Sequence, residues 1–130
     1  MPDIFDIITY DNNITTGTDI PTDDPDWTEV NHYTSRSLAA GRYKISIGVI
    51  WKLATVNKSG MIRYSFDGGT NWKTFQSEPK DKTNDNANDF SMTVENNPDG
   101  PFDVRVDMTK EAGTASMDCS YCEIIIERKG

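Results

Sequence analysis

The residues of this chain whose types and spacing could do chemistry form small, separate groups. Cys119-Ser120-Tyr121-Cys122 is a Cys-x-x-Cys pair, a spacing that makes a redox couple or half a zinc site when it opens a helix. In an extended strand three residues span about 10 Å, beyond the roughly 7 Å limit for a disulfide, and the two side chains face opposite ways. A zinc site needs further ligands, and His32 is the one histidine. Two free, partly buried thiols are expected, which fits folding in a reducing compartment. Asp81, Thr83, Asp85 and Asp89 take positions 1, 3, 5 and 9 of an EF-hand-like loop. Asn86 stands where that loop needs glycine, however, and Met92 where it needs a bidentate glutamate, so a solvated loop is expected. There is no Gly-x-Ser-x-Gly elbow and no phosphate loop. The expectation is a chain without catalytic residues, metal or cofactor.

One motif is complete. Ser65-Phe66-Asp67-Gly68-Gly69-Thr70-Asn71-Trp72 fits Ser-x-Asp-x-Gly-x-x-Trp at every fixed position. It resembles the Asp-box found in the hairpins of sialidases and many other β proteins, where the box is structural. The physics suits a turn. Asp67 can accept hydrogen bonds from the amides that follow, Gly69 can take a positive φ, and Trp72 can pack back across the hairpin. Ser65, Asp67, Gly69 and Trp72 are therefore expected to stabilise the fold. Of the three tryptophans, Trp51 falls on the apolar side of its alternation and Trp72 in this hairpin. Trp27 alone is left without a structural role.

The elements that must hold these groups read as β almost throughout. Tyr43, Ile45, Ile47, Val49, Trp51 and Leu53 alternate with mostly polar neighbours, the mark of a strand with one buried face, and Gly48 is a place for a bend or bulge. The same alternation runs through Ile62, Tyr64 and Phe66, through Phe90, Met92 and Val94, and through Phe102, Val104, Val106 and Met108. In the last strand Met117, Cys119 and Tyr121 are expected on one face. Ile124-Ile125-Ile126 places isoleucines on both faces, as a central strand or one covered by a neighbouring subunit would. Trp27–His32 and Ile4–Tyr10 complete the set. No ten-residue segment shows a 3.6-residue period, and turn signals fall between the apolar runs. The expected fold is all-β, a single antiparallel β-sandwich or jelly roll of about eight strands with an extended acidic N-terminal segment. Thr15–Asp26, polar and broken by Pro21 and Pro25, is expected as a loop or arm, and Glu78–Asp89 as a long polar excursion. Residues 1–26 then form an acidic arm, or a first strand plus loop, ahead of a jelly-roll domain over 27–130.

Charge is distributed unevenly along these elements. Of the 130 residues, 21 are acidic and 13 basic, for a net charge of −8. Eight acids and no lysine or arginine lie before Arg36, so the whole imbalance belongs to the first 35 residues. Such a chain is a poor partner for phosphate backbones, and no run approaches the roughly 20 apolar residues that cross a bilayer. Nucleic acid and membrane are not expected partners, and the N-terminus carries no signal-peptide pattern. Such charge asymmetry fits either an acidic, solvated arm or a strip that meets a basic partner surface, with Asp19, Asp23, Asp24, Asp26 and Trp27 as the contact residues in the second case.

The stretch Ala40–Trp51, the Asp-Gly hairpin, Glu78-Pro79-Lys80-Asp81 and the closing Ile-Ile-Ile-Glu-Arg form one pattern from Ala40 to Arg128. It resembles the small jelly-roll proteins of tailed-bacteriophage virions, the capsid decoration (cement) and fibre proteins, whose folds are similar to trimeric tumour-necrosis-factor and C1q jelly rolls. That resemblance implies a non-enzymatic homotrimer on a virus particle, assembled in the host cytoplasm and bound to the major capsid protein. A different class is also open: a tail-fibre tip or carbohydrate-binding module that contacts a glycan through the 78–89 loop and exposed aromatics.

Overall fold

Eight strands and no helix make up the described residues, 10–96 and 100–129, of a computed structural model. They are β1 (Tyr10–Ile20), β2 (Thr28–Thr34), β3 (Gly41–Leu53), β4 (Gly60–Ser65), β5 (Lys73–Ser77), β6 (Asn86–Asn96), β7 (Asp103–Lys110) and β8 (Met117–Arg128). Two antiparallel four-stranded sheets result, ordered β1-β8-β3-β6 and β2-β7-β4-β5. The chain changes sheet at every connection except the β4–β5 hairpin. This is the jelly roll, in which each face pair shares one core.

Alternation in β3 supplies the centre of that core. Tyr43, Ile45, Ile47, Val49, Trp51 and Leu53 are all buried, and Val104, Val106 and Met108 of β7 join them in the same cluster. Trp51 is buried whole because its indole Nε1 donates to Asn88 Oδ1 at 2.8 Å, so no donor is stranded. Gly60 makes room for it. A Cβ there would stand 2.8 Å from Met117 Cε and 2.9 Å from Trp51 Cζ3. Beside β6, Tyr64, Phe66, Phe75 and Phe90 form a second, partly buried aromatic group.

The phase of β8 shifts by one residue midway. Ile50 pairs with Tyr121 but Trp51 pairs with Cys119, leaving Ser120 as an extra residue. On its other side β1 accommodates the same irregularity through Gly17, whose φ of +67° lies in the left-handed region. Burial changes phase accordingly, with Met117 and Cys119 buried on one side of the bulge and Cys122, Ile124 and Ile126 on the other. Two expectations are corrected by this one residue. Cys119 and Cys122 do not face opposite ways; both thiols are free and buried in the core. Tyr121 does not share a face with Met117 and Cys119, but lies beside Glu123 and Ile125 on the outer side of the sheet. The bend expected at Gly48 is absent, since β3 pairs with β6 without interruption from Gly41 to Trp51. The isoleucines on both faces of β8 are explained by its central place between β1 and β3.

The two sheets are stitched where β1 meets β2. An extra residue in β2, Val30, turns both itself and Asn31 inward. Asn31 accepts from Asn13 Nδ2 at 2.7 Å and donates to the carbonyls of Asn13 and Cys122, each at 3.2 Å. Thr15 Oγ1 donates to the Val30 carbonyl at 3.0 Å, and Tyr33 donates to Asp11. Thr15–Ile20, expected as loop or arm, is thus strand. Its polar side chains serve the seam and the outer face, and the strand stops at Pro21. Asn86–Asp89 is likewise strand, shortening the long excursion to residues 78–85. β5 was not anticipated, because Phe75 is the one large apolar residue in its five. The strand expected over Ile4–Tyr10 lies, apart from Tyr10, outside the described residues.

Burial pushes the thiols up, Cys122 to about 12 and Cys119 to about 11. Little thiolate therefore exists at pH 8. Both cysteines should resist an aromatic disulfide reagent in the native protein and react within seconds once denaturant is added. Fast labelling of the folded chain would contradict the burial.

Candidate functional site

The hairpin motif folds around one carboxylate. Asp67 Oδ1 accepts from the amides of Thr70 (3.1 Å) and Asn71 (2.9 Å) and from the Ser65 hydroxyl (2.6 Å), while Oδ2 accepts from Asn71 Nδ2 (2.7 Å). Ser65 Oγ in turn accepts from the Gly69 amide at 2.9 Å. The Ser65 hydroxyl, then the Asn71 groups, hold the Asp67 carboxyl well below the usual carboxylate range. Gly69 adopts φ +98°, and a Cβ there would stand 3.1 Å from the Trp72 ring. Both carboxylate oxygens of Asp67 and the Ser65 hydroxyl are engaged within the turn itself. Asp81 is used in the same way: Asn84 side chain and amide, then the Thr83 amide, lower it to about 2. Asp89 belongs to β6 instead, and among the described residues no group of three His, Cys, Asp or Glu is placed to hold a metal.

Trp72 does more than close the hairpin. Arg63 of β4 is sandwiched between it and Trp27, its guanidinium carbon 3.9 Å from the Trp72 ring centre and 4.5 Å from that of Trp27. Beneath lies Asp107, fully buried, which accepts from Arg63 Nη2 at 2.8 Å and from Arg105 Nε at 2.9 Å. Arg105 continues to Glu29 (3.3 Å), Glu29 to His32 (3.1 Å), and His32 to Asp103 (2.5 Å). The outer face of the β2-β7-β4-β5 sheet therefore carries a connected ladder of ionisable side chains, Arg63, Asp107, Arg105, Glu29, His32 and Asp103. Trp27 has the structural partner that the sequence did not reveal, and only the distant pairing of Arg63 with Asp107 could have supplied it.

The acidic strip is pinned along the edge of this ladder. Asp24 donates its amide to the Lys110 carbonyl at 2.7 Å, Asp23 lies 3.8 Å from Lys110 Nζ, and Thr109 Oγ1 donates to the Thr22 carbonyl. Asp19, Asp24 and Asp26 remain exposed. Asp19 faces outward on β1 directly beside Asp118 of β8. The structure thus brings Asp23, Asp24, Asp26 and Trp27 together at one end of the sandwich, with Asp19 around the corner on the other sheet. No nucleophile–base pair accompanies them among the described contacts.

No protein-family model matches this chain, and no curated protein matches it in sequence. Solved structures match it in fold. A structure of infectious bursal disease virus, Gx strain, superposes with a TM-score of 0.61 at 9% identity, over 94% of this chain and 34% of that one. The VP2 subviral particle of the same virus gives 0.62 at 10%, over 92% and 32%. Its T13 particle gives 0.63 at 11%, over 92% and 31%. The chain spans about a third of the length of those proteins. They show its fold, a jelly roll that superposes on part of these virus-particle structures.

Four substitutions test the hairpin and the ladder. Ser65→Ala should cost about 1–2 kcal/mol, because a buried hydroxyl and its partners lose their bonds. Asp67→Ala and Asp67→Asn should both lower Tm at pH 7. A depressed carboxyl stabilises above its unfolded value of 3.8 and loses that effect as pH falls, so the deficit should shrink only below that pH. An unchanged Tm at pH 7 would remove the motif's structural role. Arg63→Ala should cost about 3 kcal/mol, since it half-unpairs a buried carboxylate and unstacks two tryptophans. Chemical denaturation measures both.

Proposed function

We propose that this chain is a non-enzymatic structural protein of a virus particle, a capsid decoration (cement) protein of a tailed phage that binds the head shell as a homotrimer. The observation that carries the proposal is the fold, an eight-strand jelly roll that superposes on structures of a virus particle. The sequence pattern from Ala40 to Arg128 supports it. In this reading each copy bridges several shell subunits and opposes their separation, contributing contact area rather than chemistry. The exposed acids Asp19, Asp24 and Asp26 meet a Lys- and Arg-rich shell surface, and Asp23 is held back by Lys110.

The structure changes how this is tested. Residues 10–20 belong to the sheet, so deleting residues 1–26 would damage the body along with any contact. Replacing Asp19, Asp24 and Asp26 by asparagine leaves the fold intact and removes the charge. Co-sedimentation with undecorated heads of the phage that encodes the chain should fall at least tenfold for the triple variant, and binding of the wild type should weaken as salt rises. Native mass measurement should give three copies. Failure to bind heads, combined with binding on a glycan array, would favour a recognition module instead. Salt-insensitive binding would leave the acids as mere solvation.

A further inference from the structure

One glycine has no backbone reason to be a glycine. Gly48 sits in the middle of β3, in unbroken register with β6, and its φ is not in the left-handed region. Glycine weakens a strand interior, where it usually marks a bulge or a close approach. Neither is present in the chain itself, for the one neighbour a Cβ would meet is the end of a flexible side chain, Asp89 Oδ1 at 3.2 Å. What the missing side chain leaves is space. A pit of about 350 Å³ opens over Gly48 on the outer face of the β1-β8-β3-β6 sheet.

The walls of this pit are set by register. Gly48 pairs with Asp89 on one side and with Glu123 on the other, so two carboxylates flank the gap from adjacent strands, at Cα positions about 10 Å apart. The next row along the strands pairs Ser46 with Ser91 on the β6 side, short hydroxyls that keep the floor low. Tyr121 stands on the outer face only because of the extra residue Ser120, and its hydroxyl donates to Glu123 Oε1 at 2.7 Å. Asn12 of β1 donates to the other oxygen, Oε2, at 3.0 Å. The Glu123 carboxylate is thereby fixed in place with acceptor capacity to spare. Lys44 supplies a cation at the rim.

We propose that this pit is a saccharide-binding site, sized for one or two neutral sugar rings. Small-molecule sites occupy roughly 300–1,000 Å³ and combine apolar walls with a few convergent polar groups. Here the fixed Glu123 carboxylate, the Asp89 carboxylate, serine hydroxyls and a lysine donor surround an aromatic and an aliphatic wall, Tyr121 and Ile125. Alternating donors and acceptors beside an apolar face match a polyol ring, which is hydroxylated at its edge and apolar across its C–H face. Lys44 offsets one of the two carboxylates, which lessens the pull on a cation. The site is not the 78–85 loop, whose Asp81 is consumed by its own turn. The inference rests on the pit alone and holds whether or not the chain decorates a shell.

Heteronuclear NMR of the full chain, titrated with glucose, galactose, N-acetylglucosamine and cellobiose up to tens of millimolar, tests it. At least one sugar should give saturable shifts confined to amides near Gly48, Asp89 and Tyr121–Ile125. Gly48→Val fills the pit with a strand-favouring residue. It should weaken that binding at least tenfold while Tm holds or rises. Asp89→Ala, which enlarges the pit and removes an acceptor, should weaken it as well and serves if the valine variant misfolds. Absence of saturable shifts with every sugar, undiminished binding in both variants, or a stronger response to tetramethylammonium than to any sugar would overturn the proposal.

Discussion

Ser120, the extra residue in β8, sets the phase of the first sheet. β8 is hydrogen-bonded on both sides, so a slip of one position in it must be answered by both neighbours or confined to a bulge. Gly17 answers on the β1 side by taking a left-handed conformation, and on the β3 side the register steps between Ile50 and Trp51. Strict alternation past Cys119 would bury Tyr121 and Glu123 and turn Cys122, Ile124 and Ile126 to water. With the bulge, one half of β8 contributes Met117 and Cys119 to the core and the other half contributes two isoleucines and a thiol. The same step gives the outer face its tyrosine.

The two outer faces handle polar groups in opposite ways. On the β2-β7-β4-β5 side the charges are paired with one another and roofed by tryptophan, ending in a carboxylate with no exposed surface, Asp107. Such a pair is worth little against an apolar core but costs much to break, because either arginine alone leaves a poorly compensated buried charge. It fixes how the 21–27 segment lies on the sheet. On the β1-β8-β3-β6 side the middle is a glycine with two serines in the next row, so the polar groups look outward across a gap. One face is closed by its own interactions and the other is open to a ligand.

Much of this was legible in the sequence. Period-two alternation marked β3, β4, β6 and β7, and the turn signals between them pointed to an antiparallel sandwich. The hairpin motif could be read because all its partners lie within eight residues. What could not be read depends on register between distant strands. β1 escapes an apolar alternation because two of its inward residues, Asn13 and Thr15, bond to β2, and Ile20 at its end is the inward residue that joins the core. The bulge at Ser120 has no signature of its own, so both cysteines and Tyr121 were assigned by an alternation that the chain breaks. Trp27 meets Arg63 across 36 positions, and Gly48 meets Asp89 and Glu123 across 41 and 75. Pairings at such separations are set by topology and carry no local pattern.

The antiparallel pairing of β1 with β8 also gives the molecule a direction of mechanical strength. Tyr10 lies opposite Glu127, at the end of the ladder where the first strand enters and the last one leaves. A pull that separates those two points peels the ladder open pair by pair, each bond carrying the load in turn. A pull that enters β1 at Tyr10 and leaves β8 at Met117, opposite Ile20, runs along the two strands instead. It loads all ten pairs in parallel and must slide the strand as a unit. Tension is therefore borne best along the long axis of the sandwich, between the acidic end and the opposite rim.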